Sequence, residues 1–352
     1  MHKIEVKAEH LYSVTIGADW RQSLIQLRSL HHKVLIIAPQ SLVSLVGLED
    51  IAEELAATLF IVPEAEAQKE INNVNSIWEF LGEHEFGRKD AIVAIGGGAT
   101  TDLGGFVAAT WLRGIDWYAF PTSLAGMVDA SVGGKTGINT KAGKNLVGSF
   151  YSPRSVVVDL SWLESLPDRD FSAGLAEVIK TGYIRDHSIL ELLKEVSSVE
   201  NARRLAPGLI AKSVSVKAEV VSSDFKEGKL REILNFGHTF GHAIEKSSGY
   251  SLRHGEAVSI GLHFAALLSE ELLDFPREET LELVHLLSKF SLPTSIARGD
   301  YSWDDLLSIM SGDKKSRSGK IRFVGLTEIG EPAWLESVEP ELLRGVYERI
   351  IK

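Results

Sequence analysis

The amino-acid sequence predicts an α/β fold in two parts: a parallel sheet covered by helices over residues 1–165, and a mainly α-helical part over 166–352. Three observations predict it. Apolar, β-rich runs alternate with helix-spaced segments up to about residue 160, the pattern of a sheet buried on both faces. After Leu166-Pro167 long amphipathic segments replace the strands. The chain of 352 residues also exceeds what one hydrophobic core ordinarily serves.

In order, Met1 to Lys7 alternates as an opening strand and lacks the apolar centre of a signal peptide. Further strands are expected at Val34 to Ala38, Thr58 to Val62, Ala91 to Ile95, Trp117 to Phe120 and Val156 to Asp159. Helices are expected at Gln40 to Val46, Ile51 to Ala57 and Ala67 to Gly82, the last with Ile71, Val74, Ile77, Trp78 and Leu81 at helical spacing. In the second part, Phe171 to Ile184, Ile189 to Val196, Ala206 to Val221, Gly237 to Ser247, Glu256 to Glu271 and Glu278 to Phe290 read as helices. Ile321 to Val324 and Ala333 to Leu335 read as a late hairpin.

Composition narrows the function. With 37 basic and 48 acidic residues the net charge is -11, which opposes nucleic acid or anionic membrane as a partner. No apolar run approaches the ~20 residues of a membrane span. The absence of cysteine excludes disulfides, thiolate catalysis and thiolate metal ligands, and suits a cytoplasmic protein.

The strand Ala91 to Ile95 runs into Gly96-Gly97-Gly98 and then Ala99-Thr100-Thr101-Asp102. Glycines after a strand let the backbone approach a pyrophosphate, and the next helix N-terminus offers amide donors. The spacing is not the G-x-G-x-x-G fingerprint, so a tight turn without a ligand stands beside the dinucleotide reading. Asp129 to Gly137 and Lys141 to Leu146 form a glycine-rich, lysine-bearing stretch read as a flexible loop. It lacks the first glycine of a P-loop, and phosphate binding stands against a solvated basic loop.

Asn235-Phe236-Gly237-His238-Thr239-Phe240-Gly241-His242 places two histidines one helical turn apart, with His254-Gly255-Glu256 shortly after. Three imidazoles with an open position are the raw material of a catalytic metal site. In Ala176-Glu177-Val178-Ile179-Lys180 an apolar helix carries a carboxylate, costly to bury without a partner. It is either a further metal ligand or half of an intrahelical pair with Lys180. Lys217, the run Asp224 to Arg231 and Gly312-Asp313-Lys314-Lys315 add charge, and Trp111-Leu112-Arg113-Gly114 sets an arginine at a turn.

Taken together these motifs resemble the 3-dehydroquinate synthase family. The resemblance runs from Pro63 to Lys69 through Gly96-Gly97-Gly98, the Gly-Gly-Lys-Thr-Gly segment from Gly133, Leu166-Pro167-x-Arg169, Ala176 to Lys180, Asn235 to Thr239 and His254 to Val258. It implies a Rossmann-like N-terminal domain and an α-helical metal-binding C-terminal domain, with NAD and a divalent metal, zinc or cobalt, as cofactors. The implied metal ligands are Glu177, His238 and His254. The implied dinucleotide contacts are Glu66, Lys69, Gly96, Gly97, Gly98, Asp102, Thr122 and Ser123. Asp129, Lys144, Asn145, Lys180, Lys217, Arg231, Asn235 and Lys314 would bind a phosphorylated, carboxylated sugar-acid substrate. Lys135, Glu227, His242 and Arg113 would be catalytic, with Arg113 reaching across a homodimer. The implied reaction turns 3-deoxy-D-arabino-heptulosonate 7-phosphate into 3-dehydroquinate and phosphate without net redox change. Ala38-Pro39-Gln40 lacks the acidic residue and asparagine frequent in the family, and Asp170 stands where glutamate is usual. The alternatives are a sister sugar-phosphate cyclase, of the 2-deoxy-scyllo-inosose or valiolone type, and a glycerol dehydrogenase-like enzyme.

Overall fold

A computed structural model describes residues 1–312 and 321–352. The chain forms two compact units, Met1–Leu166 with Lys217–Lys226, and Pro167–Val216 with Glu227–Lys352. The sequence reading drew a single boundary at 165/166. The return of Lys217–Lys226 to the first unit has visible causes: Lys217 pairs with Asp129, Phe225 meets Phe150 edge-on, and Ser222 Oγ accepts from the Lys7 amide.

In the first unit, strands β1 (His2–Lys7), β2 (Leu11–Ile16), β3 (Val34–Pro39), β4 (Thr58–Val62), β5 (Ala91–Gly96), β6 (Asp116–Pro121) and β9 (Ser155–Val158) form one sheet in the order β1-β2-β9-β6-β5-β3-β4. Only β1, an edge strand paired with β2, runs antiparallel. β3 and β5 are buried along their whole length, as continuous apolar runs in a helix-covered parallel sheet must be. The chain reverses its direction of winding at β3 and β5, so the carboxyl end of β5 lies where open parallel sheets bind ligands.

Two sequence expectations are corrected here. The expected helix from Ala67 to Gly82 is a 3-10 turn, Ala65–Lys69, followed by a helix Ile71–Glu83; extended backbone at Glu70 separates them. The expected flexible lysine loop is an antiparallel hairpin of β7 (Lys135–Thr140) and β8 (Gly143–Phe150). Its glycines are there for close approach: a Cβ on Gly148 would stand 2.3 Å from the Thr136 carbonyl oxygen, and one on Gly137 2.9 Å from that of Val147. Strand β2 and the helices Trp20–Leu30, Trp303–Gly312 and Pro340–Arg349 add to the elements expected from the sequence.

The second unit is built on helices Asp168–Ile184, Val199–Ser223 (up to Val216), His238–Ser247, His254–Leu273 and Arg277–Lys289, with a late hairpin of β10 (Arg322–Glu328) and β11 (Glu331–Glu336). Residues Phe171 to Ile184 are buried without a break, so this helix is a core element rather than an amphipathic cover. Glycine lets its neighbours come within backbone contact. A Cβ on Gly255 would lie 1.8 Å from the Ala173 carbonyl oxygen, and one on Gly261 1.9 Å from that of Gly237. Three helices are thereby drawn together at one level. No helix among the described residues is long and apolar enough to cross a membrane.

Candidate functional site

At the carboxyl end of β5, Gly97 precedes the helix Gly98–Thr110, whose N-terminus has no side-chain cap. The three glycines are not equivalent. A Cβ on Gly96 would collide with the Thr100 side chain at 2.3 Å and one on Gly98 with Ala130 at 2.8 Å, whereas at Gly97 the nearest atom is Ser123 Oγ at 3.5 Å. Packing explains the outer two; the middle one leaves room in front of uncapped amides, as an approaching pyrophosphate requires. Thr122 and Ser123 flank this turn, with the Thr122 amide donating to the Gly96 carbonyl and Ser123 Oγ accepting from the Gly126 amide.

Beside it lies a closed network. Lys69, 1% exposed, donates to Asp102 at 2.6 Å and to Asn145 Oδ1 at 2.5 Å. Glu66 accepts from Asn139 at 2.7 Å and pairs with Lys144 at 3.3 Å, and the Asn145 amide donates to Asn139 Oδ1. Burial raises the Asp102 carboxyl above its ordinary value despite Lys69. At Glu66 burial acts the same way, but Lys69 and Lys144 outweigh it and hold the carboxyl low. The hairpin tip and the 3-10 turn are thus fastened by predicted residues, Glu66, Lys69, Asp102, Lys144 and Asn145. Asn139, which sequence reasoning missed, links the two halves; as an ordinary polar residue in a strand it carries no spacing signal. Asp129 accepts from Lys217 through its carboxylate at 2.6 Å and also through its carbonyl. Lys135 is exposed at the start of β7. Arg113 is exposed on a turn where Leu112 and Arg113 both have left-handed backbone, φ 49 and 67.

In the second unit the helix contacts bring Glu177, His238 and His254 together. Nε2 of each histidine lies 3.4 Å from Oε1 of Glu177. Two ligand atoms on a tetrahedron with metal bonds of about 2.0–2.1 Å sit about 3.3–3.4 Å apart, so the spacing suits a zinc-like ion. Glu177 is 1% exposed, and neither of its carboxylate oxygens accepts a well-aligned hydrogen bond, although Lys180 pairs with it at 2.5 Å. Burial opposes the charge, but Lys180 and His238 hold the carboxyl well below the usual range. An ionised, buried carboxylate of this kind has the chemistry of a metal donor.

His238 Nδ1 faces the Phe236 carbonyl at 3.2 Å, which turns Nε2 toward Glu177. Burial and then Lys180 push His238 down, keeping the ring neutral as a ligand must be. His254 Nδ1 faces Glu245 at 3.3 Å. Burial pulls His254 down, but the Glu177 and Glu245 carboxylates that face its two ring nitrogens outweigh that and raise it to about 10. His242, exposed, stands beside both, with ring centroids 5.3 Å from His238 and 5.8 Å from His254. The ligand atoms of the three histidines all lie within 4.8 Å of one another. The buried carboxylate and its 3.4 Å spacings favour Glu177, with His238 and His254, over exposed His242 as the third donor.

Elsewhere in this unit Asn235 donates to Glu227 at 3.0 Å, and Arg231 is buried in the 3-10 turn Leu230–Asn235. Lys180, expected to face substrate, also satisfies the intrahelical pairing with Glu177. Lys314 lies outside the described residues. Glu245 was missed; its signal was an acid two helical turns after His238.

Over residues 59–173 the chain matches the 3-dehydroquinate synthase N-terminal model and over 174–316 the C-terminal model. The chain belongs to the 3-dehydroquinate synthase family. It is 45% identical over 356 residues to the 3-dehydroquinate synthase of Mycolicibacterium vanbaalenii, covering 99% of this chain and 98% of the relative. In fold, this member of the 3-dehydroquinate synthase family is similar to a 2-deoxy-scyllo-inosose synthase, solved with carbaglucose-6-phosphate, NAD+ and Co2+. That structure has a TM-score of 0.88 at 24% identity, covering 99% of this chain and 100% of the other. The 2-epi-5-epi-valiolone synthase of Streptomyces hygroscopicus, solved with NAD+ and Zn2+, gives 0.89 at 22% identity, with 99% of each chain covered.

Proposed function

We propose that this enzyme carries out its family's reaction, converting 3-deoxy-D-arabino-heptulosonate 7-phosphate into 3-dehydroquinate and phosphate in the route to aromatic amino acids. The observation that carries the reading is the convergence of His238 and His254 on the buried Glu177 carboxylate, in a chain 45% identical to such a synthase over its whole length.

When bound, NAD supplies a transient oxidation of one substrate alcohol, and a divalent metal, zinc or cobalt, supplies Lewis acidity at that oxygen. Glu177, His238 and His254 would hold the metal, and Gly96, Gly97, Gly98, Asp102, Thr122, Ser123, Glu66 and Lys69 the dinucleotide. On the first unit, Lys144, Asn145, Lys217 and Asp129 supply charge-assisted contacts for the substrate's anionic and hydroxyl groups. On the second, Lys180, Arg231 and Asn235 do so, together with Lys314. Glu227, held by Asn235, and exposed His242 pass protons during phosphate loss and carbon–carbon closure, with Lys135 beside the anionic groups. Arg113, exposed on its strained turn, is assigned to the phosphate of the neighbouring subunit in a homodimer. The cytoplasm is the proposed compartment.

The sister cyclases act on substrates without a carboxylate, so the cationic set Lys217, Arg231 and Lys314 with Asn235 favours the carboxylated substrate. Purified protein with NAD and zinc is expected to release phosphate from the heptulosonate phosphate and not from glucose 6-phosphate or sedoheptulose 7-phosphate. It should accumulate no reduced nucleotide. The opposite substrate preference replaces the assignment with a sister cyclase, and net nucleotide reduction replaces it with an alcohol dehydrogenase.

A further inference from the structure

Glu245 is a buried acid with a cost and no share in the reaction described above. It is 3% exposed and lies in the last turn of the helix His238–Ser247, where the helix dipole disfavours a negative charge. Burial of the carboxylate adds to that cost. Its position is nevertheless well fixed. It stands seven residues after His238, on the same face of the helix. Its backbone carbonyl accepts from the Tyr250 amide at 3.0 Å and from Ser248 Oγ at 2.8 Å.

Its carboxylate meets the His254 ring. Oε2 lies 3.3 Å from His254 Nδ1, while Nε2 of that ring faces Glu177. With a cation on Nε2, a histidine held this way keeps its one proton on Nδ1, facing the Glu245 carboxylate. His238 obtains the same orientation from a neutral acceptor, the Phe236 carbonyl. The two rings are therefore oriented by different means, and only one by a charge. His254 also has the greater need, because its side chain is 38% exposed against 10% for His238 and is less confined by packing.

We infer that Glu245 is a positioning residue for the metal site: its carboxylate holds the His254 ring in the Nδ1–H form and raises the donor strength of Nε2 toward a divalent cation. The inference rests on the reading of Glu177, His238 and His254 as metal ligands. An outer carboxylate of this kind is worth about 10–100-fold in metal affinity.

The test titrates metal-free full-length protein with zinc and with cobalt. Glu245→Gln is expected to weaken zinc binding about 10–100-fold, to shift the visible absorption of the cobalt form, and to leave the circular dichroism of the apoprotein unchanged; Glu245→Asp should recover part of the affinity. Glu177→Gln serves as the control. If Glu245→Gln binds zinc like the parent while Glu177→Gln does not, the positioning role is overturned and the ligand set stands. If Glu177→Gln also binds zinc like the parent, the ligand set itself falls. Should Glu245→Gln not fold, nitrogen NMR of histidine-labelled parent protein loaded with zinc decides. A proton on His254 Nδ1 with metal on Nε2 supports the role, and metal on Nδ1 overturns it.

Discussion

Lys69 with Asp102 in the first unit and Glu177 with His238 and His254 in the second both withdraw a carboxylate from solvent, in part at Asp102 and wholly at Glu177, yet the two clusters close differently. In the first, acids and bases satisfy one another: Lys69 holds Asp102 and Asn145, while Lys144 and Asn139 hold Glu66. In the second, Lys180 pairs with the carboxylate, but its oxygens lack aligned donors and two imidazole nitrogens stand at 3.4 Å from one of them. One cluster is closed by its own side chains. The other leaves a buried carboxylate without aligned donors, which is what supports the proposed metal there.

Glu177→Gln should separate them most sharply. Metal content is expected to fall from about one per chain to near zero, and phosphate release with it, since a structural or catalytic zinc needs each of its protein ligands. Nucleotide affinity of the first unit should persist. Full metal content by mass spectrometry in this variant would sink the ligand set. Next in size is Lys69→Met, which leaves half-buried Asp102 without its cation. A loss of about 2–3 kcal/mol in denaturant unfolding is expected, with weaker NAD binding and unchanged metal affinity. A parallel drop in metal affinity would break the comparison.

Gly255→Ala sets a methyl group 1.8 Å from the Ala173 carbonyl oxygen. Overpacking of this kind costs about 1–3 kcal/mol, and the displacement of neighbouring His254 should lower zinc affinity as well; calorimetry and zinc titration would read the two together. The smallest effect belongs to Glu256, whose carboxylate accepts two bonds from Arg169, at 2.6 and 2.8 Å, and caps its own helix through the Arg253 amide. Burial opposes its charge, but Arg169 and that amide hold its carboxyl below the ordinary value. Its contribution is thus fully present above the unfolded value of about 4.3 and is lost as pH falls through the lower folded value. Glu256→Gln should remove that acid-side slope in Tm, with about 1 kcal/mol or less lost at neutral pH.

These sites differ in how plainly the sequence announced them. The β5 run into three glycines was legible because a strand, a turn and a helix start lie within a dozen residues. His238 and His242 were legible as a pair because one helical turn separates them. What spacing within one segment does not carry is the partner: Glu177 and His254 are 77 positions apart in number, and their meeting depends on Gly255 lying against Ala173. The β7–β8 hairpin was obscured for a related reason. Its glycines have the composition of a loop, but at Gly137 and Gly148 they serve the close pairing of two strands. Asn139 and Glu245 escaped notice because an isolated polar residue shows its purpose only when its acceptor or donor is in view.

The contact between Gly255 and Ala173 joins two properties usually tuned apart. It closes the core between two helices, and it sits one residue after His254 and four before Glu177, so the spacing of the donors is inherited from the tightness of the packing. Loading the ion should therefore slow hydrogen exchange at amides around Ala173 and Gly255, beyond its effect at the donors themselves. Chelation should release that protection before the rest of the helix opens. The grip of these three side chains on an ion would, in this sense, be a measure of how well two backbones fit.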